Sequence, residues 1–288
     1  MPVVGRPNVG KSTLVNALVG TKVAITSTKP QTTRNTIRGV MTDQQVEPSW
    51  QAVLIDTPGI HRPRTDLGKR LNLLVYGTLG EADCVLFVID ATQPIGPGDR
   101  LVAQRVTESG SRTVLAVNKV DVAKPHQIAS QLAAASQWDL AAYVPVSAKT
   151  GDGLVELRGE LVGRLQEGPL FFPHGWTRDQ PDEQFAAEIV REKFLDKLRD
   201  ELPHSLAVAV TDFHEDGDLL RIAADLIIER NSQRPIVVGR GGSMVRDCGT
   251  EARVELEHVF GSKVHLDLRV KVEPEWQSRP QALDRLGF

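Results

Sequence analysis

Gly5-Arg6-Pro7-Asn8-Val9-Gly10-Lys11-Ser12 follows the apolar Met1-Pro2-Val3-Val4 and opens the helical pattern KSTLVNALVG. This is G-x-x-x-x-G-K-[ST] in the strand-to-helix setting that gives the pattern its meaning. Its glycines let successive backbone N–H groups curl around phosphate oxygens, and the helix start adds a partial positive charge at the same place. Lys11 brings a point charge for the β- and γ-phosphates, and the Ser12 hydroxyl suits Mg²⁺. Arg6, Pro7, Asn8 and Val9 carry the loop between the glycines, and Thr13 follows in the first helical turn, so residues 5–13 form one expected phosphate cradle. The strand ahead of Gly5 has at most four residues, short for the centre of a sheet, so the sequence reads as starting inside its first strand.

Outward from this loop come the apolar runs AVLID (52–56), CVLFVID (84–90), TVLAVNK (113–119) and YVPVS (143–147), with helical patterns through Leu67–Leu79 and Leu154–Leu165. Continuous apolar strands alternating with helices predict a doubly wound α/β domain with a mostly parallel sheet over residues 1–167. Its functional residues are expected where strands end. The stretch 168–183, GPLFFPHGWTRDQPDE, is rich in Pro, Gly and polar groups and reads as a linker. Residues 184–288 change pattern. A helix over Phe185–Leu202 and the strand LAVAVTDF precede a turn at HEDGD and the alternating strand LLRIAADLIIE. Leu220, Ile222, Ala224, Leu226 and Ile228 share one face of that strand, with Arg221, Asp225 and Glu229 on the other, which predicts a sheet with one solvated side. A second domain of α+β type follows.

Composition limits the function classes. Hydrophobic residues make up 41% and charged residues 25%, a soluble globular balance able to fill two cores. The isolated Cys84 and Cys248 support neither a metal cluster nor a disulfide framework. No run approaches the roughly 18 apolar residues of a membrane span, and the opening residues lack the charged and apolar regions of a secretory signal. The expectation is a cytosolic protein. Residues 1–183 carry 19 Lys/Arg against 18 Asp/Glu, and residues 184–288 carry 15 against 19. A nucleic-acid site in the second domain must therefore be a local basic patch.

Base choice is read from Asn118-Lys119-Val120-Asp121, at the end of TVLAVNK. The Asp121 carboxylate can accept from guanine N1–H and the 2-amino group together, whereas adenine would leave it desolvated and unpaired, a penalty of roughly 1–3 kcal/mol. Asn118 braces the loop and reaches the base, and the Lys119 stem covers the ring face. Ser147-Ala148-Lys149 offers a backbone N–H to the base O6. Asp56-Thr57-Pro58-Gly59 places a carboxylate toward Mg²⁺, with the Gly59 amide toward the γ-phosphate. In Gln31-Thr32-Thr33-Arg34, Thr33 is the candidate metal ligand that also senses that phosphate. Lys11, Thr33, Asp56, Gly59 and Asn8 are the candidate catalytic residues, and Ser12, Thr33 and Asp56 the metal set.

In the second domain, Gly239-Arg240-Gly241-Gly242 is a G-x-x-G loop, expected after an apolar strand at Val237-Val238 and before a helix. Such loops clamp the backbone of single-stranded nucleic acid in KH domains. Arg230, Arg234, Arg240 and Arg246 form an arginine island without an acid, so Arg234, Gly239, Arg240, Gly241, Gly242 and Arg246 are the candidate RNA contacts.

The order GRPNVGKS, QTTR, DTPG, NKVD, SAK, followed by the G-x-x-G domain, resembles the Era family of translation-factor-like GTPases over essentially the whole chain. The resemblance implies a GTP/GDP and Mg²⁺ switch that binds small-subunit ribosomal RNA near its 3′ end and acts on the small ribosomal subunit. It implies a cytoplasmic monomer, with a peripheral contact to the inner face of the membrane as a further expectation. Related members hold K⁺ through a loop asparagine, the position of Asn8. Where Ras-like proteins place a water-orienting glutamine, this chain has Ile60 and then His61, so slow intrinsic hydrolysis is expected; His61 reads as a surface histidine, with a catalytic base as the alternative. The alternative from another class is a GTP-gated adaptor for a protein or membrane surface. NKVD opposes an ATP-driven motor, and the single phosphate loop opposes a tandem GTPase.

Overall fold

The computed structural model describes residues 1–60, 65–80 and 82–287. The chain divides into two compact units. One holds Met1–Thr26, a stretch from Thr33 onward and Gly68–Asp179; the other holds Ser27–Thr32, Thr65–Leu67 and the chain from Gln180.

The first unit is built on a seven-stranded sheet. In chain order its elements are β1 (Pro2–Val4), α1 (Lys11–Val19), β2 (Ile37–Asp43), β3 (Trp50–Asp56), α2 (Asp66–Leu79, from Gly68 in this unit), β4 (Val85–Asp90), α3 (Pro97–Glu108), β5 (Thr113–Asn118), α4 (Pro125–Ala135), β6 (Ala142–Pro145), α5 (Leu154–Val162) and β7 (Arg178–Asp179). The strand order is β6-β5-β4-β1-β3-β2-β7. The pairs from β6 through β3 are parallel, and β2 and β7 are antiparallel additions. Every residue of β4 and β5 is buried, as their unbroken apolar runs require. Leu14, Val15 and Leu18 of α1 and Leu157 and Leu161 of α5 fill one core cluster. Val75 and Leu79 of α2 and Val102, Ala103 and Val106 of α3 fill another. β1 lies between β3 and β4. The chain moves first to one side of β1 and then to the other, which makes the loop after β1 a topological switch point, where open α/β sheets bind ligands.

Four elements of this unit fall outside the sequence reading: β2, α3, α4 and β7. The stretch 168–183, expected as a linker, is fastened to the sheet as far as Asp179. The Gln51 side chain accepts from the Phe171 and Phe172 amides and donates to the Phe172 carbonyl. β7 then pairs with β2 through Arg38↔Asp179 and Gly39↔Arg178.

The second unit contains α6 (Asp182–Lys197), α7 (Leu202–Ser205), β8 (Ala207–Asp216), β9 (Leu219–Ile228), α8 (Arg234–Val238), α9 (Ser243–Phe260), β10 (Lys263–Val272) and α10 (Pro280–Arg285). Its sheet has the order β10-β9-β8, antiparallel between β8 and β9 and parallel between β9 and β10. Phe185, Ile189 and Phe194 of α6 and Cys248, Ala252 and Leu256 of α9 pack on the β9 face formed by Leu220, Ile222, Leu226 and Ile228. The alternation in β9 thus buries the predicted side. One expectation is corrected: Val237 and Val238 end a short helix, α8, and not a strand. Pro235 stands in its first turn, where a fixed φ favours helix and the missing N–H costs nothing. The C-terminal tail packs onto this unit through fully buried Trp276, whose indole donates to the Ser205 carbonyl at 2.9 Å.

Candidate functional site

Lys11 begins α1 directly after the loop that leaves β1. Gly10 caps this helix at φ 96°, and a Cβ there would stand 2.3 Å from the Asn118 amide nitrogen, so only glycine fits both the backbone and the space. Lys11 is 6% exposed, and its ammonium donates to the carbonyls of Gly5 at 3.3 Å and Arg6 at 3.1 Å. Burial pushes it down to about 8, with the nearby Asp56 charge acting in the opposite direction. Arg6 donates to buried Asp99 of α3 at 2.7 Å, which fixes the far side of the loop.

The three candidate metal ligands converge. The Ser12 hydroxyl donates to Asp56 Oδ2 at 2.7 Å, the Thr33 hydroxyl approaches the same oxygen at 3.2 Å, and the two hydroxyls are 2.9 Å apart. Asp56 is fully buried, and its Oδ1 has no hydrogen-bond partner among the described residues. Burial raises its pKa, opposed by Lys11, Ser12, Thr33 and the Thr57 backbone. A buried carboxylate oxygen without a partner, beside two hydroxyls, fits a hard oxygen-seeking cation such as Mg²⁺. Gly59 packs against Pro7 of the phosphate loop. Ile60 is 1% exposed, belongs to the core and ties its amide to the Gly5 carbonyl at 3.1 Å. No polar side chain therefore occupies that position. His61 lies outside the described residues.

The residues expected to select the base cluster at the ends of β5 and β6. Asn118 is buried and bridges two loops, donating to the Val9 carbonyl at 2.9 Å and accepting from the Ala148 amide at 3.0 Å. The Ala148 N–H is thus engaged by Asn118. Lys119 donates to the Asn8 carbonyl at 2.8 Å. Ser147, fully buried, donates to Asp121 Oδ1 at 2.8 Å and aims an otherwise exposed carboxylate. Lys149 is exposed and Thr13 half-buried in α1.

In the second unit Gly239, Gly241 and Gly242 have φ of 77°, 57° and 78°, and Gly242 caps the 18-residue α9. Beside the loop lies a groove of about 630 Å³ lined by Arg234, Val238, Gly242, Val245, Arg246, Leu268, Arg269 and Val270. Arg246 donates to the Gly241 carbonyl at 3.1 Å, and Arg240 is exposed. Val238, Val245, Leu268, Arg269 and Val270 are the lining residues that the sequence reading missed. The only signal for the last three was the alternation KVHLDLRVKV, and their place depends on β10 pairing with β9, Leu268 opposite Ala224.

Residues 1–119 match the family model described as 50S ribosome-binding GTPase, and residues 201–277 the KH domain model. GTPase Era of Mycobacterium sp. (strain JLS) is 50% identical over 292 residues, covering 99% of this chain and 96% of the relative. The chain belongs to the Era family. GTPase Era of Mycobacterium tuberculosis (strain ATCC 25177 / H37Ra) is 48% identical with the same coverage. A point variant of Aquifex aeolicus Era bound to GDP.AlF4- superposes with a TM-score of 0.94 at 35% identity, over 99% of this chain and 97% of the other. Era in complex with MgGDPNP and nucleotides 1506-1542 of 16S ribosomal RNA gives 0.94 at 36% identity, with the same coverage. The Era family's two-part organisation, a P-loop GTPase fold followed by a KH fold, is therefore this chain's own.

Proposed function

We propose that this chain binds and hydrolyses GTP, and through that cycle controls its hold on small-subunit ribosomal RNA near the 3′ end during small-subunit assembly. The observation that carries the reading is the convergence of Ser12, Thr33 and Asp56 beside buried Lys11, with Asn118 and Lys119 meeting the same loop and Ser147 aiming Asp121. Ser12, Thr33 and Asp56 would hold Mg²⁺, which neutralises charge building on the β- and γ-phosphate oxygens during transfer. Lys11 adds a positive charge in a desolvated site, where each such contact counts for more than in water. Asp121 selects guanine, and the Gly59 amide and Thr33 respond to the γ-phosphate. Their release after hydrolysis is the switch.

The core-facing Ile60 leaves water positioning without a side chain at that point, which supports slow intrinsic turnover. Asn8 sits in the loop at φ 64°, a left-handed conformation that asparagine tolerates, and we assign it as the candidate K⁺ ligand. RNA bases would lie on Val238, Val245, Leu268 and Val270, with phosphates at the G-x-x-G loop and its arginines. The solved relative holding nucleotides 1506-1542 of 16S ribosomal RNA supports that choice of partner. No helix among the described residues is long and apolar enough to cross a membrane.

Multiple-turnover GTP hydrolysis with Mg²⁺, in K⁺ and then in Na⁺, tests the enzymatic part. The reading predicts phosphate release in both salts, faster in K⁺. No release in either salt contradicts the GTPase reading, and equal rates contradict the assignment of Asn8.

A further inference from the structure

Asp90 ends β4 and belongs to none of the nucleotide-binding motifs. In the parallel register it stands beside Asn118, one residue from Lys119, and the Ala91 amide donates to the Asn118 carbonyl at 2.8 Å. Its two oxygens are divided between two tasks. Oδ1 accepts from the Thr92 amide at 2.9 Å and the Thr92 hydroxyl at 2.6 Å, a side-chain turn that fixes the plane of the carboxylate. Oδ2 accepts from the Lys119 ammonium at 2.6 Å. The same ammonium reaches the Asn8 carbonyl of the phosphate loop at 2.8 Å.

Lys119 needs that restraint. Its φ is 71°, a left-handed conformation that a long side chain adopts only when its surroundings hold it there. We propose that Asp90 is the positioning residue that holds Lys119 across the guanine face and, through Lys119, ties the base-selecting loop to the phosphate loop. A turn-capping role alone would use Oδ1 and leave Oδ2 to solvent. Here Oδ2 makes the shorter of the two ammonium contacts. Burial by itself would raise the Asp90 carboxyl, but the Lys119 and Thr92 donors outweigh it and hold the pKa below the ordinary carboxylate value. Asp90 is therefore charged throughout the neutral range, and its hold on Lys119 is not a pH switch there.

The proposal rests on the guanine-nucleotide reading of the first unit, and its test separates the two. GDP affinity is measured by calorimetry for wild type, Asp90→Ala, Asp90→Asn, Lys119→Ala and the double variant Asp90→Ala/Lys119→Ala, with a melting curve for each. Asp90→Ala is expected to weaken GDP about tenfold, the scale of one charge-assisted hydrogen bond in a partly buried setting. Asp90→Asn keeps an acceptor for Lys119 and is expected to lose about threefold. In the Lys119→Ala background, Asp90→Ala should cost less than about twofold, because its route to the nucleotide is already gone. Full additivity of the two losses overturns the proposal, since Asp90 would then act through general stability. Unchanged affinity in Asp90→Ala also overturns it. If Asp90→Ala fails to fold, the same cycle built with Asp90→Asn decides by the same criterion. Absence of GDP binding by the wild type overturns the nucleotide reading and this proposal together.

Discussion

The two units use the same local device and do different things with it. In each, a glycine with left-handed backbone caps a helix that no side chain caps: Gly10 at φ 96° before α1, and Gly242 at φ 78° before α9. Both helix starts present free N–H groups and a partial positive charge. Their neighbourhoods differ. Around Gly10 the polar groups are buried or half-buried and tied to one another: Lys11 to two carbonyls, Ser12 and Thr33 to Asp56, Asn118 to Val9 and Ala148. Around Gly242 the charges of Arg240 and Arg269 are exposed, Arg269 at an open groove with an apolar floor. A helix terminus alone therefore does not choose a ligand. Desolvated, mutually fixed donors suit a small phosphate ester that must be placed accurately. Exposed arginines over valine and leucine suit a polymer whose backbone supplies charge and whose bases supply flat faces.

That contrast can be broken most severely at Lys11. Lys11→Ala should reduce GDP affinity by about 100-fold or more in calorimetry, because a buried charged donor to phosphate is lost. A loss under about tenfold would mean that the helix terminus does most of the binding, which erases the distinction drawn between the two loops. Asp121→Asn should next shift preference from guanine to xanthine nucleotides by tens- to hundreds-fold, measured by competition. An unchanged preference would remove Asp121 as the selector. On the open side, Gly239→Asp with Arg240→Ala should weaken RNA binding about tenfold in fluorescence anisotropy and leave GDP affinity at the wild-type value. Loss of both would point to misfolding instead. The smallest expected effect is at Arg269→Ala, about threefold on RNA, with the salt dependence flattened by about one phosphate contact. No change at Arg269 would confine the RNA footprint to the loop and α9.

The legibility of the two sites follows the same divide. GRPNVGKS, DTPG and NKVD each carry their geometry within a few consecutive residues, so the loop after β1, the buried Asp56 and the turn at Asn118–Asp121 could be placed from the sequence. What pairing between distant strands creates was invisible. Asp90 matters because β4 lies beside β5, Asp99 because α3 reaches Arg6, and Arg269 because β10 runs parallel to β9. Gly39 masked β2, since glycine is depleted in strands. A Cβ at Gly39 would come 2.9 Å from the Val19 side chain of α1, so its absence allows close helix–sheet packing. Residues 168–179 looked like a linker because nothing local announces that Gln51 and β2 will bind them. At α8, the β-branched run at Ile236, Val237 and Val238 suggested a strand, and Pro235 in the first turn decided for helix.

The central claim, that nucleotide state sets the hold on RNA, is tested most directly by one titration. A short single-stranded RNA with the 3′-end sequence of small-subunit ribosomal RNA is titrated into the full chain with Mg²⁺ and GDP, and then with Mg²⁺ and a non-hydrolysable GTP analogue. The account predicts clearly tighter binding with the analogue. Equal affinity in the two states would contradict the switch, and no binding in either would remove ribosomal RNA as the partner.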